Sequence, residues 1–431
     1  MTLPLVPLIC LVAAAVLVVG LAEPLTKRPW ALAAIALAGA VAAALLATNI
    51  GGTEALVVYA VAAFLVVTLL LMPAFELQYQ QQRPEAVALV LLAGAGAIVL
   101  ATGGDLLQLI IGMETLSLSS ALLVALGHGE AAAEAAFKYF VLAAVSLASL
   151  VYGLGLIYLA TVSVNFPSAG APSLLLTTGI VLMITGFAFE LALAPLHWGA
   201  LDAYTAAAPA AAGAVMALSK LGAVVAIVRL APLGGNSFLF VLAMVGLLTV
   251  VWATLGALAQ REIRRLLAYS AIAHAGFLAM AAGSGAAGRQ AAVFYVIVYG
   301  STAMLVFAAL AGLGPRPIAF GELPARLGVQ RSLALCFGLM SLAGIPPLPG
   351  FWAKLALFGP AWQSLGPVPT MIGIAAAVAA AVYYLKPVPD LWNALRLPSL
   401  RATGNAGVVL AGVTVLALTI VPGFLWAMIR L

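Results

Sequence analysis

Six ionisable side chains lie within long apolar stretches of this sequence, where charge is otherwise rare. They are Glu114, Lys138, Glu190, Lys220, His274 and Lys354. A charged group in the hydrocarbon of a membrane is costly, so it needs a partner, water or a function. We interpret the set as a proton relay, because these side chains exchange protons and hydroxyl groups such as that of Ser270 can link them. The pair Tyr383 and Tyr384 either continues this path or marks a membrane interface.

A structural ion pair explains any one of these six residues about equally well. Glu134 precedes Lys138 by one helical turn and is a suitable partner for it. Ser149 and Tyr152 fall on the same helical face as Lys138 and extend it as a polar stripe. The relay is the better account of the set as a whole.

The composition indicates which class of protein carries these groups. The chain has 431 residues, of which 65% are hydrophobic and only 7% are charged. Soluble domains carry about 25% charged residues, so a soluble, disordered or disulfide-stapled protein is excluded. The runs 87–100 and 238–255 do not alternate polar and apolar residues as barrel strands do. We predict an all-α integral membrane protein.

No residue pattern indicates a bound cofactor or metal. Cys10 and Cys336 lie in apolar segments, and His128, His197 and His274 are far apart in the sequence. No glycine-rich dinucleotide motif or P-loop is present, so the chain itself is expected to bind no NADH, flavin or ATP. The net charge of +5 is interpreted as topology-setting loops rather than a nucleic-acid surface.

Fourteen apolar segments are long enough to span a bilayer, which takes about 20 residues. They are 3–22, 30–48, 54–72, 85–102, 105–126, 134–160, 173–197, 204–230, 237–258, 263–283, 289–313, 331–358, 367–388 and 405–428. The first segment has no preceding basic residue and is expected to be a membrane anchor rather than a cleaved signal peptide.

Spans 4–8 and 9–13 form two related units in which the fourth span is interrupted by proline. Pro195 interrupts span 7, and Pro346, Pro347 and Pro349 interrupt span 12. Because five is an odd number, the second unit is inverted in the membrane, and inverted repeats with broken helices are typical of transporters. Prolines that merely kink packed helices are the alternative. We divide the chain into residues 1–80, 81–232, 233–395 and 396–431.

Basic residues are distributed unequally between the two sides of the predicted bundle. Loops after odd-numbered spans hold most of them, including Arg396 and Arg401, whereas the other side holds Arg229, Arg289 and Arg430. The positive-inside rule then places both termini outside the cytoplasm.

Three segments carry a resemblance to a known family. They are EAAFKYFVLAAVSLASLVYGLGLIY from Glu134, LLAYSAIAHAGF from Leu266 and SLAGIPPLPGFWAK from Ser341. Over spans 4–13 the chain resembles the antiporter-like membrane subunits of bacterial proton-pumping NADH-quinone oxidoreductase (respiratory complex I), subunit N in particular. The chain ends soon after Trp426 without a long lateral helix, which we interpret as favouring the N type.

The resemblance implies a role in proton movement for Glu114, Lys138, Lys220 and Lys354, along a hydrated axis through the membrane arm. It also implies partners and a location. NADH, flavin, iron–sulfur clusters and quinone are expected on other subunits of the assembly, in the inner membrane of a bacterium. This chain is expected to contribute proton translocation and no redox chemistry.

The chain departs from the family in span 7. The family usually has a phrase similar to FK-x-x-x-x-PFH-x-W-x-PD-x-Y, whereas this chain has FELALAPLHWGALDAY, with Glu190 for the lysine and Leu201 for a proline. We expect Glu114 and Glu190 to face each other. Since two close carboxylates do not both ionise cheaply, one should be protonated or paired with Lys138 or Lys220. The first unit either works with this acid pair or has lost its function.

Two other functions fit the same residues. One is an antiporter-like subunit of a cation/proton antiporter or membrane-bound hydrogenase, which neighbouring genes would identify. The other is a structural membrane subunit whose proton path has decayed, as the change to Glu190 suggests. A stand-alone transporter is less well supported, because no cluster of hydrogen-bonding side chains defines an organic substrate site.

Overall fold

The structure is a computed structural model that describes residues 5–71, 77, 80–167, 173–314, 316–393 and 406–429. These ranges are helical, with short connections. The helices of the first part are α1 Leu5–Gly20, α2 Ala22–Thr26, α3 Pro29–Ala47, α4 Gly52–Leu70, α5 Arg83–Thr102, α6 Leu106–Ala125, α7 Gly129–Thr161, α8 Leu174–Leu191, α9 Trp198–Ala206 and α10 Pro209–Leu230. Those of the second part are α11 Gly235–Leu258, α12 Ile263–Ala282, α13 Gly285–Leu310, α14 Leu323–Ala343, α15 Pro349–Leu365, α16 Pro367–Leu385, α17 Val388–Asn393, α18 Ala406–Ile420 and α19 Pro422–Met428.

Within the described ranges, ten helical segments are long and apolar enough to cross a membrane, or eleven if the bent pair α18 and α19 is one span. One of the ten, Pro209–Leu258, contains both α10 and α11. With 16 and 17 residues, α1 and α15 are shorter than a full span. Two arginines and a non-helical Gly328 interrupt the apolar character of α14. These features account for the difference from the fourteen spans predicted.

Two helices are broken, as the prolines predict. Ala192, in the left-handed conformation, ends α8, and Pro195 lies in the turn before α9. Gly344, also left-handed, ends α14, and three prolines separate or begin the next helix, α15. The boundaries differ from those predicted, since a separate α9 occupies 198–206 and the following span begins at Pro209 rather than 204.

The two halves start the second helix of their first hairpin in the same way. Asp105 caps α6 by accepting from the Gln108 amide, and Glu262 caps α12 by accepting from the Arg264 and Arg265 amides. The residue after each cap donates its backbone amide to the carbonyl oxygen of a distant loop residue. Leu106 donates to Val164 at 2.9 Å, and Ile263 donates to Ile318 at 3.1 Å.

Paired glycines let the helices of each hairpin approach closely. A Cβ added to Gly96 of α5 would lie 2.7 Å from the Gly112 carbonyl oxygen of α6. The corresponding contact in the second half, from Gly246 of α11 to the Gly276 carbonyl oxygen of α12, would be 2.6 Å. Small residues allow this backbone packing in a membrane, where lipid gives helices little hydrophobic reason to associate.

Burial separates central helices from peripheral ones. The most apolar stretch of α13 is 100% buried and that of α12 is 89% buried, whereas that of α7 is only 28% buried. In α10 every residue but Arg229 is buried. Polar residues on α10 and α12 are therefore enclosed by protein, and much of α7 faces outward. The predicted loop residues Arg396, Arg401 and Arg430 lie outside the described residues.

Candidate functional site

Lys354 lies on α15, the helix that follows the second break. Its ammonium donates to the carbonyl oxygens of Leu342 at 2.9 Å and Ala343 at 2.7 Å. These residues end α14, where carbonyls have no partner within the helix. A buried cation is thus held by the negative end of the interrupted helix.

Lys220 on α10 is held in the same way by the end of the first broken helix, although α9 separates it from the break in the chain. It is 0% exposed, and its ammonium donates to the carbonyl oxygen of Leu191 at 3.2 Å and to the Tyr204 hydroxyl at 3.5 Å. Leu191 is the last residue of α8. Each break therefore holds one buried lysine against its carbonyl end.

His274 on α12 joins two buried tyrosines. Its Nδ1 lies 3.0 Å from the Tyr295 hydroxyl and its Nε2 lies 2.9 Å from the Tyr384 hydroxyl. Tyr384 also shares a hydrogen bond with Ser270. A continuous polar chain thus runs across α12, α13 and α16. Tyr384 is fully buried and takes part in this chain, as the first of the two interpretations of the tyrosine pair expects.

Glu190 is enclosed near the end of α8. It is 1% exposed, and its Oε1 accepts a hydrogen bond of 2.9 Å from the Tyr139 hydroxyl. Its Oε2 has no hydrogen-bond partner among the described residues. Lys220 and Glu114 are near enough for their charges to act on Glu190. Glu114 on α6 is half-buried, and its Oε1 is also buried without a partner in the described ranges.

Lys138 does not join the enclosed groups. Its side chain is 46% exposed on α7 and forms ion pairs with Glu134 at 2.7 Å and Asp202 at 3.0 Å. Asp202 also pairs with Arg265 at 3.2 Å. The structure thus gives Lys138 the local partner considered from the sequence, together with an unpredicted one on α9.

The polar stripe predicted beside Lys138 does not form a path. Tyr152 is 66% exposed, and the Ser149 hydroxyl donates to the Leu182 carbonyl oxygen at 2.8 Å. Lys138 and Tyr152 lie at the outer surface of α7, whereas Ser149 is half-buried against α8. A helical projection gives relative directions and not which direction is inward.

Sequence reasoning missed four groups: Asp202, Tyr139, Tyr204 and Tyr295. For Tyr139 the sequence did contain a pattern, because it shares helical spacing with the small residues Ala132, Ala136, Ala143 and Ser146, which are buried. The others depend on contacts between distant helices. Together the enclosed side chains can accept and release protons, and the described ranges contain no cluster of three or more His, Cys, Asp or Glu side chains placed to hold a metal ion.

Comparison with known proteins places this geometry in a family. The family described as "NADH:quinone oxidoreductase/Mrp antiporter, TM" matches residues 103–379. NADH-quinone oxidoreductase subunit N 2 of Roseiflexus castenholzii is 33% identical over 79% of this chain and 75% of its own length. Subunit N of Syntrophotalea carbinolica is 31% identical over 97% of this chain and 96% of its own length.

Solved structures share the fold. A chain of respiratory complex I from Thermus thermophilus with bound aureothin has a TM-score of 0.82 at 29% identity, covering 98% of this chain and 99% of that one. A chain of the Mrp complex from Dietzia sp. has a TM-score of 0.83 at 21% identity, covering 99% and 96%, and shows the fold alone. The match over more than half of the sequence, together with these relatives, shows that the chain belongs to the NADH:quinone oxidoreductase/Mrp antiporter transmembrane family.

Proposed function

We propose that this chain is a membrane-arm subunit of a proton-translocating NADH-quinone oxidoreductase. It moves protons across the membrane, coupled to quinone reduction on other subunits. The observation that carries this proposal is the pair of buried lysines, Lys220 and Lys354, each held against the carbonyl end of a broken helix. Buried ionisable groups of this kind are expensive in a membrane and mark ion or proton paths.

The six residues singled out from the sequence have different positions in this proposal. Glu190, Lys220, His274 and Lys354 form the enclosed part of the path, and Glu114 approaches it from α6. Lys138, paired with Asp202 at the outer face of α7, serves the first unit from the protein surface. The Lys138 side chain is 46% exposed, which supports a position at the surface.

We infer the kind of assembly from the names of the relatives. Those relatives are called NADH-quinone oxidoreductase subunit N. We therefore assign NADH, flavin, iron–sulfur and quinone chemistry to partner subunits, and none of it to this chain. The chain is located in the inner membrane of a bacterium, with both termini on the non-cytoplasmic side.

We also propose fourteen spans with two inverted units, α5–α10 and α11–α16. Corresponding contacts support this division. Arg229 on α10 donates to the Leu100 carbonyl oxygen near the end of α5, and Lys386, just after α16, donates to the Leu258 carbonyl oxygen at the end of α11. In each unit the last helix thus caps the first.

The test uses the whole assembly. The tagged chain is isolated from its native membrane, and copurifying subunits, NADH-quinone activity and proton uptake into vesicles are measured. Methionine replaces Lys138, Lys220 and Lys354 together, with Lys27→Met as the control at an exposed position. Copurification with NADH-quinone oxidoreductase subunits and loss of proton uptake at normal assembly are expected. Copurification with hydrogenase or antiporter subunits, or unchanged uptake in the triple variant, contradicts the proposal.

A further inference from the structure

The hydrogen bond between Tyr139 and Glu190 joins two fully enclosed side chains from different helices. The two atoms lie 2.9 Å apart, and each residue is 1% exposed. The Tyr139 ring also packs against Phe189, with ring centroids 5.4 Å apart. The hydroxyl therefore fixes one carboxyl oxygen of Glu190 from the α7 side, one residue away from the outward-facing Lys138.

Lys220 lies beside this pair but is held by other groups. Its ammonium donates to the Leu191 carbonyl oxygen and the Tyr204 hydroxyl, and the described residues give it no direct bond to the Glu190 carboxyl. Leu191 follows Glu190 in the chain, so acid and base are close neighbours. Each is held in place by a separate tyrosine, Tyr139 for the acid and Tyr204 for the base.

The other groups that face Glu190 come from α6. They are Glu114, whose charge acts on Glu190, and Ser117. With Tyr139 from α7, Tyr204 from α9 and Lys220 from α10, they complete its titratable and polar surroundings. Lys220 is the single cation among them, so it is the partner that Glu190 would approach if it were released.

Direct contact between a buried carboxylate and a buried ammonium would slow the release of the proton that the ammonium carries. At low dielectric constant the attraction of two such charges in contact is strong, and removing the proton from the pair becomes difficult. A short separation weakens that attraction and leaves each group exchangeable. The tyrosine hydroxyl holds Oε1 on the α7 side, which fixes the orientation of the carboxyl group without a direct bond to Lys220. Oε2, which has no hydrogen-bond partner among the described residues, is left to take the proton.

We infer that Tyr139 is a positioning residue that holds Glu190 away from Lys220, so that one proton can pass between the two in the first unit. The Lys220 ammonium gives its proton to the Glu190 carboxylate, which leaves a neutral amine and a neutral acid, and the reverse transfer restores both charges. No other reactant is needed. The inference rests on the proposed function and gives the first unit an active role despite the loss of the family's lysine.

Tyr139→Phe tests this in the assembled complex, with Tyr158→Phe, an exposed tyrosine of the same helix, as the matched control. We expect proton uptake by native membrane vesicles, per assembled complex, to slow roughly fivefold, the effect of losing one hydrogen bond. The pH profile of uptake should also shift. The infrared carbonyl band of protonated Glu190, assigned by its absence in Glu190→Gln, should change frequency. An uptake rate, pH profile and band equal to those of Tyr158→Phe overturn the inference.

Two further variants keep the outcome decisive. If Tyr139→Phe lowers assembly, Glu190→Gln supplies the answer, since its amide oxygen still accepts from Tyr139 but the acid is gone. Loss of uptake then supports the inference, and normal uptake overturns it.

Lys354→Met in the same preparation separates the two proposals. If Lys354→Met stops uptake while Tyr139→Phe behaves as its control, this inference alone fails. If neither affects uptake, the proposed function fails as well.

Discussion

Asp202 and Lys354 occupy matching positions after the two helix breaks. Asp202 follows the left-handed Ala192 at the same spacing as Lys354 follows the left-handed Gly344. Lys354 is buried and donates to the end of α14. Asp202 lies at the surface of α9 and bridges Lys138 and Arg265. The two units therefore share a backbone plan but place opposite charges on it, one inside the bundle and one outside.

The bridge made by Asp202 should contribute little to stability. Asp202→Asn removes two ion pairs whose members are all about a third exposed or more. Exposed pairs contribute weakly and are screened by salt. We expect the melting temperature of the purified complex to fall by at most about 2 °C at low salt. The difference should vanish at high salt, and a large salt-independent loss would mean that Asp202 has a buried role.

Gly350 should be indispensable to the second break. A Cβ at this position would lie 1.8 Å from the Ser341 carbonyl oxygen, which is backbone and cannot move aside. Gly350→Ala is therefore expected to destabilise the chain by about 3 kcal/mol or more. The amount of assembled complex and its melting temperature measure this.

Gly359, on the same helix, is the control for that change. Nothing lies within 4 Å of a Cβ added there, and alanine favours a helix. Gly359→Ala should assemble normally. Equal assembly of the two variants would show that α14 and α15 are not packed as described.

Glu190→Lys should be tolerated. It restores the charge of the family's phrase, and the buried Oε1 of Glu114, which has no partner among the described residues, can accept from the new ammonium. We expect assembly close to that of the unchanged chain, with proton uptake retained. Glu190→Ala, which leaves Tyr139 without its acceptor, is the comparison. Complete loss of assembly in Glu190→Lys would count against aligning Glu190 with the lysine.

The sequence predicted the helical membrane class and both breaks, because apolar length and proline act locally. It also identified Glu190, Lys220, His274 and Lys354, since a charge in an apolar helix is conspicuous wherever the helix packs. Lys138 shows the limit of that reasoning. Its segment is as apolar as the others, yet α7 presents this residue to the outside. Which side faces inward depends on neighbouring helices, as do the hydroxyl partners Tyr139 and Tyr295.

Lys354 is expected to take a direct part in proton movement. Lys354→Met removes the ammonium while keeping an apolar side chain of similar length, with Lys27→Met as the control. Uptake should be measured per assembled complex, because the Leu342 and Ala343 carbonyls lose a donor.

The decisive measurement is NADH-driven proton uptake by native membrane vesicles that contain equal amounts of the assembled Lys354→Met and Lys27→Met complexes. Uptake should be at least about tenfold slower in Lys354→Met, as expected when a proton-transfer group is removed. Uptake equal to that of Lys27→Met would contradict it.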